Sequence, residues 1–203
     1  LVGSEMCIRD SYSISTGQTT TANITAKSLT VSGITASNKT YDGSTNATLT
    51  GTAVYSGLVS GDTFDGTYTG AFSDKNVGTG KTVTITSSYS GADVSNYSVT
   101  DQSSTTANIT AKSLTVSGIT ASSKTYDGST SATLDPSLVV YSGLVTGDTF
   151  DGTYTGVFSN ANVGTGKTIN ITSSYSGADV NNYSVTDQSS TTAHITAKAL
   201  TAT

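Results

Sequence analysis

Polar and apolar residues alternate along most of this chain with a period of two. Phe64, Tyr68 and Phe72 share one parity, with Gly66 and Gly70 between them. Val83 and Ile85 alternate with Thr82, Thr84 and Thr86, and Leu29 and Val31 alternate with Thr30 and Ser32. Successive side chains of a strand point to opposite faces, so this is the pattern of strands with one face on a core and one in water. Threonine suits the wet face, being β-branched and polar. Turn signals break the alternation at Asp42-Gly43, Gly61-Asp62, Asp65-Gly66, Gly78-Thr79-Gly80 and Ser90-Gly91. Asp42-Gly43 has the residues of a two-residue hairpin, because both tolerate positive φ. Strands this short and this evenly punctuated predict an all-β fold, an antiparallel β-sandwich of immunoglobulin-like type. No capped stretch of helical period competes with it.

The pattern is itself repeated. Residues 24–49 recur as 109–134, and residues 55–108 recur as 141–194. The offset grows from 85 to 86 in one loop, where TGTAV (50–54) becomes DPSLVV (135–140). That loop holds the only proline, Pro136, where a missing N–H harms no ladder. Outside it 70 of 80 aligned positions are identical, which makes the two copies one domain type in tandem. Residues 12–24 echo 97–109, and 195–203 echo the start of a copy. The organisation expected is therefore a partial copy at 12–25, a first repeat at 26–110, a second at 111–197, and the start of another at 198–203. At the junction, TTANITAKSLTVSG (105–118), the last strand of one copy runs into the first of the next without a Gly/Pro linker. A junction that short limits bending and predicts a semi-rigid rod.

Residues 1–11 stand apart. The first ten hold the only Met, Cys, Arg and Glu of the chain, and the string LVGSEMCIRD reads as a non-native leader, outside fold reasoning. The remainder has no cysteine, and the chain as a whole leans on 41 threonines and 33 serines. A net charge of -5 with no basic block leaves phosphate or anionic lipid without a cationic patch, which argues against nucleic-acid partners. No apolar run approaches the ~18 residues of a membrane-spanning helix, so insertion by a helix is not expected.

Three stretches together are similar to a known family. KTYDGST (39–45, again 124–130), GDTFDGTYTGAFSDKNVGTGKTVTI (61–85) and GADVSNYSV (91–99) closely resemble the YDG repeat domain of large secreted bacterial adhesins of the filamentous-haemagglutinin-like kind. The resemblance covers residues 12–203. It implies a β-rich module outside the cell or on the bacterial surface, a stalk or spacer that presents a distal adhesive region, and it brings no catalytic residues.

Other motifs suggest chemistry less directly. GTGKT (78–82, again 164–168) looks like the end of a phosphate-binding loop. The glycine that loop needs five residues before Gly80 is Lys75, and TVTIT follows where a helix should begin, so a glycine-rich hairpin loop is the expectation. Asp is the only acid outside the leader, and Asp62, Asp65, Asp148 and Asp151 are the candidates for a Ca²⁺ site, although no D-x-D-x-D run supplies the clustered oxygens that ion takes. Tyr41, Tyr55, Tyr126 and Tyr141, near turns, are the candidates for exposed aromatics that stack on a host or matrix glycan or contact a protein. Tyr68, Tyr89 and Tyr97 fall where a core wants them. His194, with Asn108 in its place in the first copy, has no partners for a zinc site or a triad and reads as an exposed strand residue. No carboxylate pair in a cleft is indicated, so the chain is not expected to be an enzyme and no cofactor is expected. Neighbouring repeats of the same chain are the partners the pattern implies.

Overall fold

The structure, a computed structural model, describes residue 17 and residues 19–201. The leader expected at 1–11 lies outside the described residues. The alternating runs of the first repeat form ten strands: β1 (Lys27–Ser32), β2 (Thr35–Ala36), β3 (Lys39–Thr40), β4 (Asn46–Ala47), β5 (Leu49–Thr50), β6 (Val54–Ser56), β7 (Asp65–Phe72), β8 (Gly78–Ser90), β9 (Tyr97–Thr100) and β10 (Ser104–Thr110). The second repeat forms the same ten: β11 (Lys112–Ser117), β12 (Thr120–Ala121), β13 (Lys124–Thr125), β14 (Ser131–Ala132), β15 (Leu134–Asp135), β16 (Val140–Ser142), β17 (Asp151–Phe158), β18 (Gly164–Ser176), β19 (Tyr183–Thr186) and β20 (Ser190–Thr196). Short 3-10 turns at Val94–Asn96 and Val180–Asn182 are the helical elements among the described residues, and no helix there is long and apolar enough to cross a membrane.

Two sheets build each repeat. In the first, β6-β1-β9 is a three-stranded sheet and β3-β10-β8-β7-β4 a five-stranded one, with β2 and β5 as a small extra pair. The fold is all-β, as the alternation predicts. The pairing is not wholly antiparallel, however: β1 runs parallel to β9, and β3 parallel to β10. A parallel neighbour needs a long crossover connection, and the members of both pairs lie about seventy residues apart, so no hairpin dictates their direction.

The Asp42-Gly43 turn also departs from expectation. It does not close a hairpin, because β3 and β4 are not paired with each other; they are the opposite edges of the five-stranded sheet. Five residues, 41–45, join them. In a flat sheet those edges would lie about 19 Å apart, four inter-strand spacings. Here the Lys39 ammonium donates to the carbonyls of Ser44 at 2.7 Å and Asn46 at 3.0 Å. The sheet is therefore curled into a half-barrel with Lys39 across its seam, its charge 5.4 Å from the centre of the Phe72 ring. Lys124 repeats the arrangement over Phe158.

The core follows from these two shapes. Leu29 and Val31 of β1 face Phe64, Ile85 and Tyr97 beneath the three-stranded sheet. Inside β7, Gly66 must stay without a side chain, because a Cβ there would collide with the hydroxyls of Tyr68 and Tyr55, which hydrogen-bond over it. The second cluster sits in the half-barrel and does not stop at the repeat boundary. Phe72, Val83, Ala107 and Ile109 of the first repeat are continuous with Leu114, Val116, Ile119, Phe150 and Tyr183 of the second, and Tyr41 lies among them. The half-barrel of the second repeat (Phe158, Ile169, Ala193, Ile195) forms a third cluster.

Candidate functional site

The junction between the repeats carries the densest set of polar contacts. Only Ala111 separates β10 from β11. Three pieces of the first repeat converge there, each shaped by local chemistry. Tyr41 is pinned by its own N–H, which donates to the Thr110 carbonyl at 2.8 Å, one residue before the boundary. The turn after it is set by Asp42, whose Oδ1 accepts from the Ser44 N–H at 2.8 Å and from Lys39, and by Gly43, at φ +78°. Gly43 also passes close to the second repeat, where a Cβ would stand 2.9 Å from Val145 Cγ1. Lys75 rides on a second turn of the same type, in which Asp74 Oδ1 accepts from the Asn76 N–H at 2.8 Å. Asp and Asn hold such turns because their short side chains reach the backbone two residues on.

The second repeat answers with Asp148, from the β16–β17 loop, and with Asp179, Asn182 and Tyr183 in and around its 3-10 turn. The Tyr41 hydroxyl donates to Asp148 Oδ2 at 2.8 Å, and the Tyr183 hydroxyl donates to the same oxygen at 2.6 Å. The two rings meet edge to face, 5.6 Å between centroids. Lys75 Nζ lies 3.1 Å from Asp148 Oδ1 and 2.9 Å from Asp179 Oδ1, with its charge 5.9 Å from the centre of the Tyr41 ring. The Val77 N–H donates to Asn182 Oδ1 at 2.9 Å, and Asn182 Nδ2 donates to Asn76 Oδ1 at 3.2 Å. The Asp148 side chain is 3% exposed.

Charge and burial compete at Asp148. Burial opposes its ionisation, but hydrogen bonds from Tyr183, Tyr41 and Lys75 outweigh it, and its carboxyl is held below the usual range. Asp179 is held low by the Thr149 N–H and by Lys75. Lys75 is raised, chiefly by Asp179 and then by Tyr41 and Asp148. Burial, and then Asp148, raise Tyr41 and push Tyr183 up to about 12. At neutral pH the set is two carboxylates, one ammonium and two neutral phenols, each donor aimed at an acceptor in the other repeat or its own. It is a lock between two bodies.

The expected site residues fall in different places. Of the four tyrosines expected to be exposed, Tyr41 is 1% exposed and sits at the centre of the junction, which corrects the expectation; a turn residue is covered when the next repeat lies over the turn. Tyr55 and Tyr141 are half-buried, packed edge-on against Phe64 and Phe150 and hydrogen-bonded to Tyr68 and Tyr154. Tyr126 is exposed, at 41%. Among the Ca²⁺ candidates, Asp148 belongs to the junction and Asp62 accepts from the Tyr97 hydroxyl, while Asp65 and Asp151 begin β7 and β17 on exposed positions. Among the described residues no three side chains of ligand type converge. GTGKT is not the expected hairpin loop: it opens strand β8, paired with β10 beside an irregularity in the register. There Asn108 accepts from the Gly80 N–H at 2.7 Å, and His194 Nδ1 does the same for Gly166 at 2.9 Å, so His194 does a structural job that an asparagine does in the first copy.

Lys75, Asn76, Asp179 and Asn182 were not among the expected site residues. One signal was available for Lys75: it is one of ten positions at which the copies differ, and Ala161 replaces it.

The YDG domain matches residues 25–107 and again 110–193. The chain belongs to the YDG domain family. No curated protein and no solved structure matches it. The Tyr-Asp-Gly triplet itself acquires a physical reading in this YDG pair: the tyrosine enters the neighbouring repeat, the aspartate shapes the turn that presents it, and the glycine allows both the positive φ and the close approach of Val145.

Proposed function

We propose that the YDG pair is a segment of a structural spacer, a semi-rigid rod in a secreted or surface-attached bacterial adhesin, which holds a distal adhesive region away from its anchor. The observation that carries the reading is the hydrophobic cluster that runs unbroken from the half-barrel of one repeat into the next, with a single residue between the strands. A binding module on a flexible tether has no need of such a joint, whereas a rod depends on it. The role is mechanical and not catalytic, with neighbouring repeats as its first partners. Small-angle scattering on the full chain tests it: the rod requires an elongated particle whose longest dimension grows in proportion to repeat number. A compact particle with the repeats side by side would overturn it. The glycan-binding alternative keeps only Tyr126 of its four tyrosines on an exposed position, and a silent glycan array at high valency would remove it.

A further inference from the structure

The two ends of this pair present the two halves of the same lock. At the far end of the second repeat, Tyr126 is 41% exposed where Tyr41 is 1%, and Val163 is 53% exposed where Val77 lies partly buried under the second repeat. Nothing stands within 4 Å of a Cβ at Gly128, the counterpart of Gly43. Beside Val163 opens a cleft of about 470 Å³, bounded also by Ser123, His194 and Ile195. At the opposite end, the first repeat carries Asp62, Asp93 and Tyr97 in the positions of Asp148, Asp179 and Tyr183. The same internal bonds are made there, Tyr97 to Asp62 and the Thr63 N–H to Asp93. Asn96 is exposed, whereas Asn182 in the junction is 3% exposed.

Resting on the rod reading, we propose that the exposed end of the second repeat, centred on Tyr126 and Val163, is the seat for the head of a further YDG repeat continuing the chain. That repeat docks as the second repeat docks on the first, with its equivalents of Asp148 and Tyr183 receiving the Tyr126 hydroxyl. The surfaces are complementary and non-identical, so the contact is head-to-tail and propagates instead of closing. The new joint differs in one respect. Ala161 stands where Lys75 stands, so two carboxylates meet the tyrosine without an ammonium between them. Joints along the array are thus graded by the residue at this position, and this one is the weaker.

The test extends the full chain by a copy of residues 113–198 grafted in register after Lys198. Surface tyrosines are then nitrated with tetranitromethane and located by mass spectrometry. In the original chain Tyr126 is modified and Tyr41 is protected. In the extended chain the rate at Tyr126 should fall by about tenfold or more, toward that of Tyr41, while the counterpart of Tyr126 in the added copy becomes the reactive residue. Ala161→Lys in the extended chain should deepen the protection. Unchanged nitration of Tyr126 in an extended chain whose added copy melts cooperatively would overturn the seat. Protection that appears in the original chain as its concentration rises would also overturn the assignment, transferring the seat to a second molecule. Scattering on the same extended chain separates this from the rod reading: an elongated particle with reactive Tyr126 sinks the seat alone, and a compact particle with protected Tyr126 sinks the rod alone.

Discussion

Tyr41 and Tyr126 occupy the same place in two nearly identical sequences, yet one is buried and hydrogen-bonded to a carboxylate and the other faces solvent. Their own strands, turns and lysines are the same: Lys39 and Lys124 make matching bonds, and Asp42 and Asp127 hold matching turns. What differs is the neighbour. In the first YDG repeat the half-barrel end is an unfinished surface, completed by the head of the second. Repeat arrays gain stability from such interfaces as well as from each unit.

Substitution at the paired tyrosines should give the widest contrast. Tyr41→Ala removes an aromatic side chain from the continuous core and should cost about 3–5 kcal/mol in denaturant unfolding, while Tyr126→Ala should stay within about 1 kcal/mol. Equal losses at both sites would break the comparison. Tyr41→Phe keeps the ring and removes only the donor to buried Asp148. It should cost about 1–3 kcal/mol, with Tyr126→Phe close to neutral. A double-mutant cycle with Asp148→Asn should show that the Tyr41 effect is coupled to Asp148.

A smaller difference is expected at the glycines. Gly43→Ala and Gly128→Ala both force an alanine into positive φ, at about 1–2 kcal/mol each. Gly43→Ala adds a collision with Val145, so its thermal midpoint should fall further than that of Gly128→Ala.

The smallest effect is titration of the lock. Asp148 and Asp179 have depressed pKa values in the folded chain, so their contribution is present above the ordinary carboxylate range near 3.9 and is lost as pH falls through their folded values. Tyr41 and Tyr183 are raised, so their contribution is present below about pH 10 and is lost as pH rises through their folded values. Denaturant midpoints measured across pH should therefore be highest between those limits, with the acid-side fall setting in at a higher pH in Lys75→Ala. If Lys75→Ala left the acid limit where it was, Lys75 would have no part in the lock.

Much of this was legible in the residues. The alternation at Leu29 and Val31 and along Phe64, Tyr68 and Phe72 placed β1 and β7 with the correct faces inward, because a strand's period is a local property. The duplication located the junction, and the absence of a linker there was visible. The site was far less legible. Tyr41 looked like an exposed turn residue because nothing within several positions of it supplies a cover; Asp148 is 107 residues away. Asp42-Gly43 looked like a hairpin because its chemistry is that of any tight turn, and pattern alone does not say which strands the turn connects. Asp148 reads as a metal candidate because aspartate is the only acid outside the leader, whereas its partners are two phenols and an ammonium from three separate segments.

That the chain is β, that it is two copies of one unit, and which face of each long strand is dry all follow from the residues alone, since these depend on period, identity and turn chemistry over a few residues. Long-range packing sets the rest: each five-stranded sheet curls until a lysine spans its edges, and the tyrosine of the first repeat is buried while that of the second is not. Those outcomes depend on which surfaces meet, and two identical stretches of chain do not differ until one of them has a neighbour.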